Sequence, residues 1–259
     1  MPAALARTGY LATIRQAGDR LLATALAAGF TAPVPTCPTW TVAHLVAHQA
    51  MVHRWAAAHV AGGDPDAVPS QTELRARTDL AEYYAEGLGM LTAALAGAPD
   101  DLQAMTFLND VTTPVLFWAR RQTHETTIHS VDALSARLGR VPTTHECAID
   151  PGLATDGLDE LLRGFFTRGK SKMFDGDEYA FVVAASDVPA AWEVRVGQHL
   201  TVAAPRQETA SAPDEARMRL TGTAAGLYLA LWNRGNDVQA TGDATVLARW
   251  HREQRIRWS

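Results

Sequence analysis

Along the first half of the chain, apolar positions recur at three- and four-residue spacing, the period of an amphipathic helix. Leu11, Ile14, Gly18, Leu21, Leu22 and Ala25 follow it and predict a helix over residues 5 to 28. GFTAPVPTCPT interrupts it with three prolines. A second helix is predicted from Trp40, with Thr39 or Thr41 as N-cap and Leu45, His48, Val52, Trp55 and His59 along its inward stripe; GGDPDAVPS ends it. A third, from Leu80 to Leu95, aligns Leu80, Tyr84, Leu88, Leu91 and Leu95, and AGAPDD closes it. A fourth runs from Thr113 to Leu138. Four such helices with modest connections predict a four-helix bundle.

The period changes after GRVPTTHE. Residues 156 to 168 read as helical, and EYAFVVAA, WEVRV, HLTVAA and ARMRLTG then read as short, valine-rich strands. LYLALWNRG and ATVLARWHREQ read as closing helices. The expected fold class is therefore α plus α+β: a bundle over residues 1–143, followed by a smaller α+β domain over 144–259.

Composition adds exclusions. A formal net charge of −5 provides no basic footprint for nucleic acid or an anionic membrane surface. The two cysteines, Cys37 and Cys147, form neither a disulfide framework nor a structural zinc motif, and are expected to pack as small apolar side chains. No apolar run approaches a membrane span, and MPAALARTGYLATIRQAGDRLL lacks the apolar block of a signal peptide, so a cytoplasmic protein is expected. Lysine is nearly replaced by arginine, and alanine use is heavy, as in GC-rich bacterial genomes.

The candidate chemistry lies in WARRQTHETTIHSVDA, on the fourth helix. Trp118, Gln122, Glu125, His129 and Asp132 form one stripe, and Glu125 and His129, four apart, stack one turn above each other. HETTIH is not the zinc-protease motif, because its two histidines are five apart. If the second and fourth helices are neighbours, His48 faces Glu125 and His129. Two imidazoles and one carboxylate suit a divalent metal such as zinc with one position left open. Asp132 could then orient an imidazole from behind. A hydrogen-bonded core cluster, with Arg121 reaching Glu125, is the competing reading of the same residues. His44, His53, His59, His124, His145, His199 and His251 are expected at surfaces or borders.

PTCPTWTVAHLVAHQAMVHRWA at 35–56 and RRQTHETTIHSVDA at 120–133 resemble the two signatures of the mycothiol-dependent maleylpyruvate isomerase family. LTGTAAGLYLALWNRG and VQATGDATVLARW resemble its C-terminal domain. The resemblance covers nearly the whole chain. It implies a DinB-like four-helix bundle joined to a sterol-carrier-like domain. It also implies a divalent metal, usually zinc, on His48, Glu125 and His129, the thiol mycothiol as cofactor, and an actinobacterial source. In such an enzyme a metal-stabilised thiolate adds to the double bond of maleylpyruvate. Rotation about the resulting single bond and loss of the thiol give fumarylpyruvate. LWNRG resembles the block that supplies a catalytic arginine, which would be Arg234. Two alternatives stay open: a mycothiol S-transferase acting on another electrophile, and a non-catalytic metal- or small-ligand-binding module.

Overall fold

Local capping chemistry sets the helix boundaries. A computed structural model describes residues 5–109, 111–206 and 216–254. Helix α1, Arg7–Ala28, ends on Gly29. Helix α2, Val42–Ala61, starts where the Thr41 backbone N–H donates to His44 Nδ1 at 3.1 Å, and stops at the left-handed Gly62, φ 70°. A short helix α3, Gln71–Arg75, is nucleated by a Ser70–Glu73 capping box, and helix α4 is Leu80–Gly97. Helix α5, Pro114–Leu138, begins with Thr113 as N-cap and proline in the first turn, and ends on the left-handed Gly139.

Helices α1, α2, α4 and α5 make the expected bundle. α1 lies along α5 and α2 along α4, with α2–α5 and α1–α4 contacts closing the square. α1 and α4 approach closely at Gly18, where a Cβ would stand 2.6 Å from Leu88 Cδ2; the Tyr84 hydroxyl donates to Gly18 O at 3.0 Å. α5 is the innermost element. Nearly every residue from Val115 to Ala136 is buried, polar ones included.

The described residues divide into two compact units, one comprising Leu5–Phe107 and Val111–Pro142, the other chiefly the residues from Thr143 onward. In the second unit a one-turn helix α6, Thr144–Cys147, precedes helix α7, Pro151–Asp159, which runs into a π-helical turn, Glu160–Phe165. Strands β1 (Tyr179–Ala185), β2 (Ala191–Val196), β3 (Leu200–Val202), β4 (Met218–Gly222) and β5 (Gln239–Gly242) form a sheet of order β3-β2-β1-β4-β5. β1 pairs in parallel with β4, Val183 opposite Leu220, and antiparallel with β2, Val183 opposite Trp192. The parallel pair needs a crossover connection. Helix α8, Ala224–Leu231, is buried along its whole length, and helix α9, Thr245–Glu253, follows β5. The Trp192 indole donates to Asp159 of α7 at 3.2 Å, tying helix to sheet.

Four elements depart from the expectations. α7 starts earlier than residue 156, because Asp150 accepts from the Gly152 and Leu153 backbone N–H groups and Pro151 occupies the first turn. α3 and α6 are too short for any periodicity, though each carries a capping box. β5 has four mostly exposed residues and hence no apolar alternation. Among the described residues no helix is long and apolar enough to cross a membrane.

Candidate metal centre

α2 and α5 face each other, and their ligand-type side chains meet. His48 Nε2 and His129 Nε2 each lie 3.2 Å from Glu125 Oε1. One ligand atom from each of the three residues lies within 4.8 Å of the other two. In a tetrahedral zinc site with bonds of about 2.0–2.1 Å, neighbouring donor atoms stand about 3.3 Å apart. The two shortest separations match that edge, and the set offers two nitrogens and one oxygen, so the residues fit a divalent ion with a fourth position open.

The surroundings prepare each donor. Glu125 Oε2 accepts from Arg121 at 3.0 Å, which leaves Oε1 directed at the imidazoles. Gln49 Nε2 approaches Oε1 at 3.4 Å, while its own Oε1 is buried with no protein partner. His129 Nδ1 lies 2.9 Å from Asp132 Oδ2. An ionised carboxylate only accepts, so Nδ1 carries the proton and Nε2 is the atom presented forward. The Trp40 ring stacks on His129 at 5.8 Å and tilts against His48 at 5.1 Å, and the imidazoles meet edge to face at 4.9 Å. Exposures of 2% for His48, 3% for Glu125 and 7% for His129 leave the cluster nearly closed to bulk water.

Burial and partners oppose each other in the titration of these groups. Burial would raise the Glu125 pKa, but hydrogen bonds from His129 and His48 and the charges of His129 and Arg121 hold it well below the usual carboxylate range. Burial would lower His129, yet Asp132 and Glu125 raise it to about 9. For His48 burial prevails over Glu125, and its pKa is lowered. A divalent ion would need both imidazoles neutral and the carboxylate ionised, so its binding would be pH-dependent.

The structure thus brings His48, Glu125 and His129 together, with Asp132 behind His129 as the metal reading expects and Arg121 on Glu125 as the competing core-cluster reading expects. Arg234 belongs to the other unit, in the turn after α8. Its backbone N–H donates to Leu229 O at 2.7 Å and its guanidinium to Trp232 O at 2.9 Å. Trp40, Thr36 and Gln49 were not singled out by spacing. Trp40 and Thr36 lie in a proline-broken loop without a period, although the PTCPTW run contains both. Gln49 sits beside His48, off the apolar stripe.

Two histidines depart from expectation. His53 and His124 are fully buried, because α2 and α5 are enclosed on more than one face. Cys147 is buried as expected, but Cys37 is only half-buried and directs its thiol to Asp132 Oδ2 at 3.5 Å.

His53 yields a pH prediction. Its Nε2 lies 3.0 Å from Thr126 Oγ1 and its ring 5.4 Å from that of Tyr84. Burial lowers its pKa to about 3; Glu125 pulls upward, and His48, His129 and Arg54 push further down. The unfolded chain, with a histidine near 6.5, binds the proton more readily. Stability from this group is therefore fully present above about pH 6.5 and falls as pH drops toward 3, at about 1.4 kcal/mol per pH unit. Urea unfolding of the metal-free protein at pH 7 and pH 5 should show a loss of about 2 kcal/mol that His53→Gln removes. An equal loss in the variant would show that the titration lies elsewhere.

Two family models match the chain, in order. The one described as "Mycothiol maleylpyruvate isomerase N-terminal domain" matches residues 11–134, and the one described as "MDMPI C-terminal domain" matches residues 152–249. No curated protein matches the chain in sequence. Among solved structures, the crystal structure of the mycothiol-dependent maleylpyruvate isomerase is similar with TM-score 0.61 and 17% identity, covering 92% of this chain and 93% of that one. A variant of that enzyme with one histidine replaced by alanine matches with the same TM-score, identity and coverage. At this identity the likeness establishes the fold.

Proposed function

The chain belongs to the mycothiol-dependent maleylpyruvate isomerase family, and on that premise we propose that it is a zinc- and mycothiol-dependent enzyme that isomerises maleylpyruvate to fumarylpyruvate. The observation that carries the reading is the convergence of His48 Nε2, Glu125 Oε1 and His129 Nε2 inside the bundle that the family model matches. We assign residues 1–143 to metal binding and 144–259 to the companion domain. The cytoplasm is the proposed location, in keeping with two free cysteines and a reduced thiol cofactor.

When bound, the divalent ion supplies a cation beside which a thiol is deprotonated at neutral pH. The protein's part is to hold three donors in register, one fewer than a tetrahedral ion takes. Arg121 fixes the unused oxygen of Glu125, and Asp132 fixes the tautomer of His129. The Trp40 ring covers one side of both imidazoles and keeps water from it.

The substrate is a dicarboxylate whose carbonyl gains negative charge during the reaction. A guanidinium matches both needs, through forked hydrogen bonds and through charge. Arg234 is the residue we propose for that role. Arg234→Ala is expected to lower kcat/KM for maleylpyruvate by on the order of 100-fold while the bound metal stays near one per chain. Steady-state kinetics beside elemental analysis reads both; unchanged kcat/KM would remove Arg234 from the mechanism. The reading as a whole is tested by supplying zinc, mycothiol and maleylpyruvate to the purified protein and following fumarylpyruvate. No conversion, with metal bound and thiol present, would refute it.

A further inference from the structure

The loop joining α1 to α2 touches the candidate metal centre from behind, and its contact is specific. Its backbone is tightly closed. Val34 N–H donates to Trp40 O at 3.0 Å, Cys37 N–H to Val34 O at 2.9 Å, and Trp40 N–H to Cys37 O at 2.8 Å. A bridge pairs Pro33 with Thr41. From this frame the Thr36 hydroxyl lies 2.6 Å from Asp132 Oδ1, although the two residues are 96 positions apart. The other oxygen of the same carboxylate, Oδ2, is the one that accepts from His129 Nδ1.

Counting protons fixes the direction of the contact. Ser135 Oγ lies 2.9 Å from Thr36 Oγ1 and donates its own proton to Asp132 O at 2.7 Å. An ionised carboxylate only accepts, so the Thr36 hydroxyl donates to Asp132 Oδ1, at a distance typical of a hydroxyl-to-anion bond. A carboxylate turns easily about its last torsion, because that well is broad. Hydrogen bonds on both oxygens define its plane, and that plane defines the direction in which His129 Nε2 points.

We propose that Thr36 is a positioning residue for metal binding: through Asp132 it sets the orientation of the His129 imidazole. The inference rests on the metal reading given above. It also gives PTCPTW a physical role, since one short loop supplies both the hydroxyl behind His129 and the Trp40 ring over it.

The test is metal affinity, measured by chelator competition for Zn²⁺ on the full-length protein. Asp132→Asn is expected to weaken binding about 10- to 100-fold, the range for loss of a carboxylate behind a ligating imidazole. Thr36→Val, nearly the same shape without the hydroxyl, should weaken it by about 3- to 10-fold. Thr36→Ser, which restores the hydroxyl, should stay within about twofold of wild type. Thr36→Ala removes the same hydroxyl without adding a methyl and is read identically should the valine variant fail to fold. Wild-type affinity in the hydroxyl-free variants would overturn the inference and leave the metal site standing. Serine as weak as valine would also overturn it. No zinc binding by the wild type would remove the metal reading and this inference together.

Discussion

His48→Ala is expected to leave the protein folded, largely empty of metal, and slower as an isomerase by on the order of 1,000-fold. A Lewis-acid centre contributes several kcal/mol to stabilising developing charge, and each 1.36 kcal/mol is a tenfold change in rate. His48 is one of the three proposed donors, and its loss would leave Glu125 and His129 on a single helix, where two ligands cannot close a tetrahedral site. The substitution also removes a hydrogen-bonding partner of Glu125, but Arg121 and His129 still hold that carboxylate, so folding should survive. Glu125→Gln is the companion variant: it keeps shape, loses the anion, and should likewise lose metal. Elemental analysis with steady-state kinetics reads both quantities on the same sample. Full activity in metal-free His48→Ala would exclude a catalytic ion at this position.

The second large effect is on stability. Trp118 is fully buried on α5, seven residues before Glu125 on the same stripe. Its ring stacks on His59 at 5.1 Å and meets Trp55 at 5.2 Å and Phe117 at 5.1 Å edge to face. Its indole N–H donates to Met105 O at 3.0 Å, which pins the loop after α4. Trp118→Ala should lower the unfolding free energy by about 3–5 kcal/mol, from lost burial and the cavity left behind. The same change orphans the Met105 carbonyl. Trp118→Phe, which refills part of the volume, should recover more than half of that. Urea denaturation with both variants measures it. A loss below about 1 kcal/mol for alanine would mean the cluster collapses around the gap.

How much of this was legible beforehand differs by element. The long helices α1, α2, α4 and α5 follow from sustained three-four spacing and from caps visible as residue types, such as Thr113 before Pro114 and glycine after α2 and α5. The clustering of His48, Glu125 and His129, the proposed metal ligands, follows from that same periodicity once α2 and α5 are taken as neighbours, and the family resemblance selects the same three residues. By contrast, α3, α6 and β5 span five, four and four residues, too few for any period to repeat. The burial of His53 and His124 was hidden for a different reason. A single-stripe reading treats the opposite side of a helix as solvent, whereas α5 is covered nearly all round.

The sequence by itself determined the helical bundle, its order before an α+β domain, and the residue types able to hold a metal, because these rest on interactions within a few residues of one another. Only the tertiary structure decided how the donors are aimed. That depends on Thr36 meeting Asp132 across 96 positions, on Arg121 taking one oxygen of Glu125, and on Trp40 covering two imidazoles. Contacts between distant segments obey no local period, so their identity appears only when packing brings the segments together.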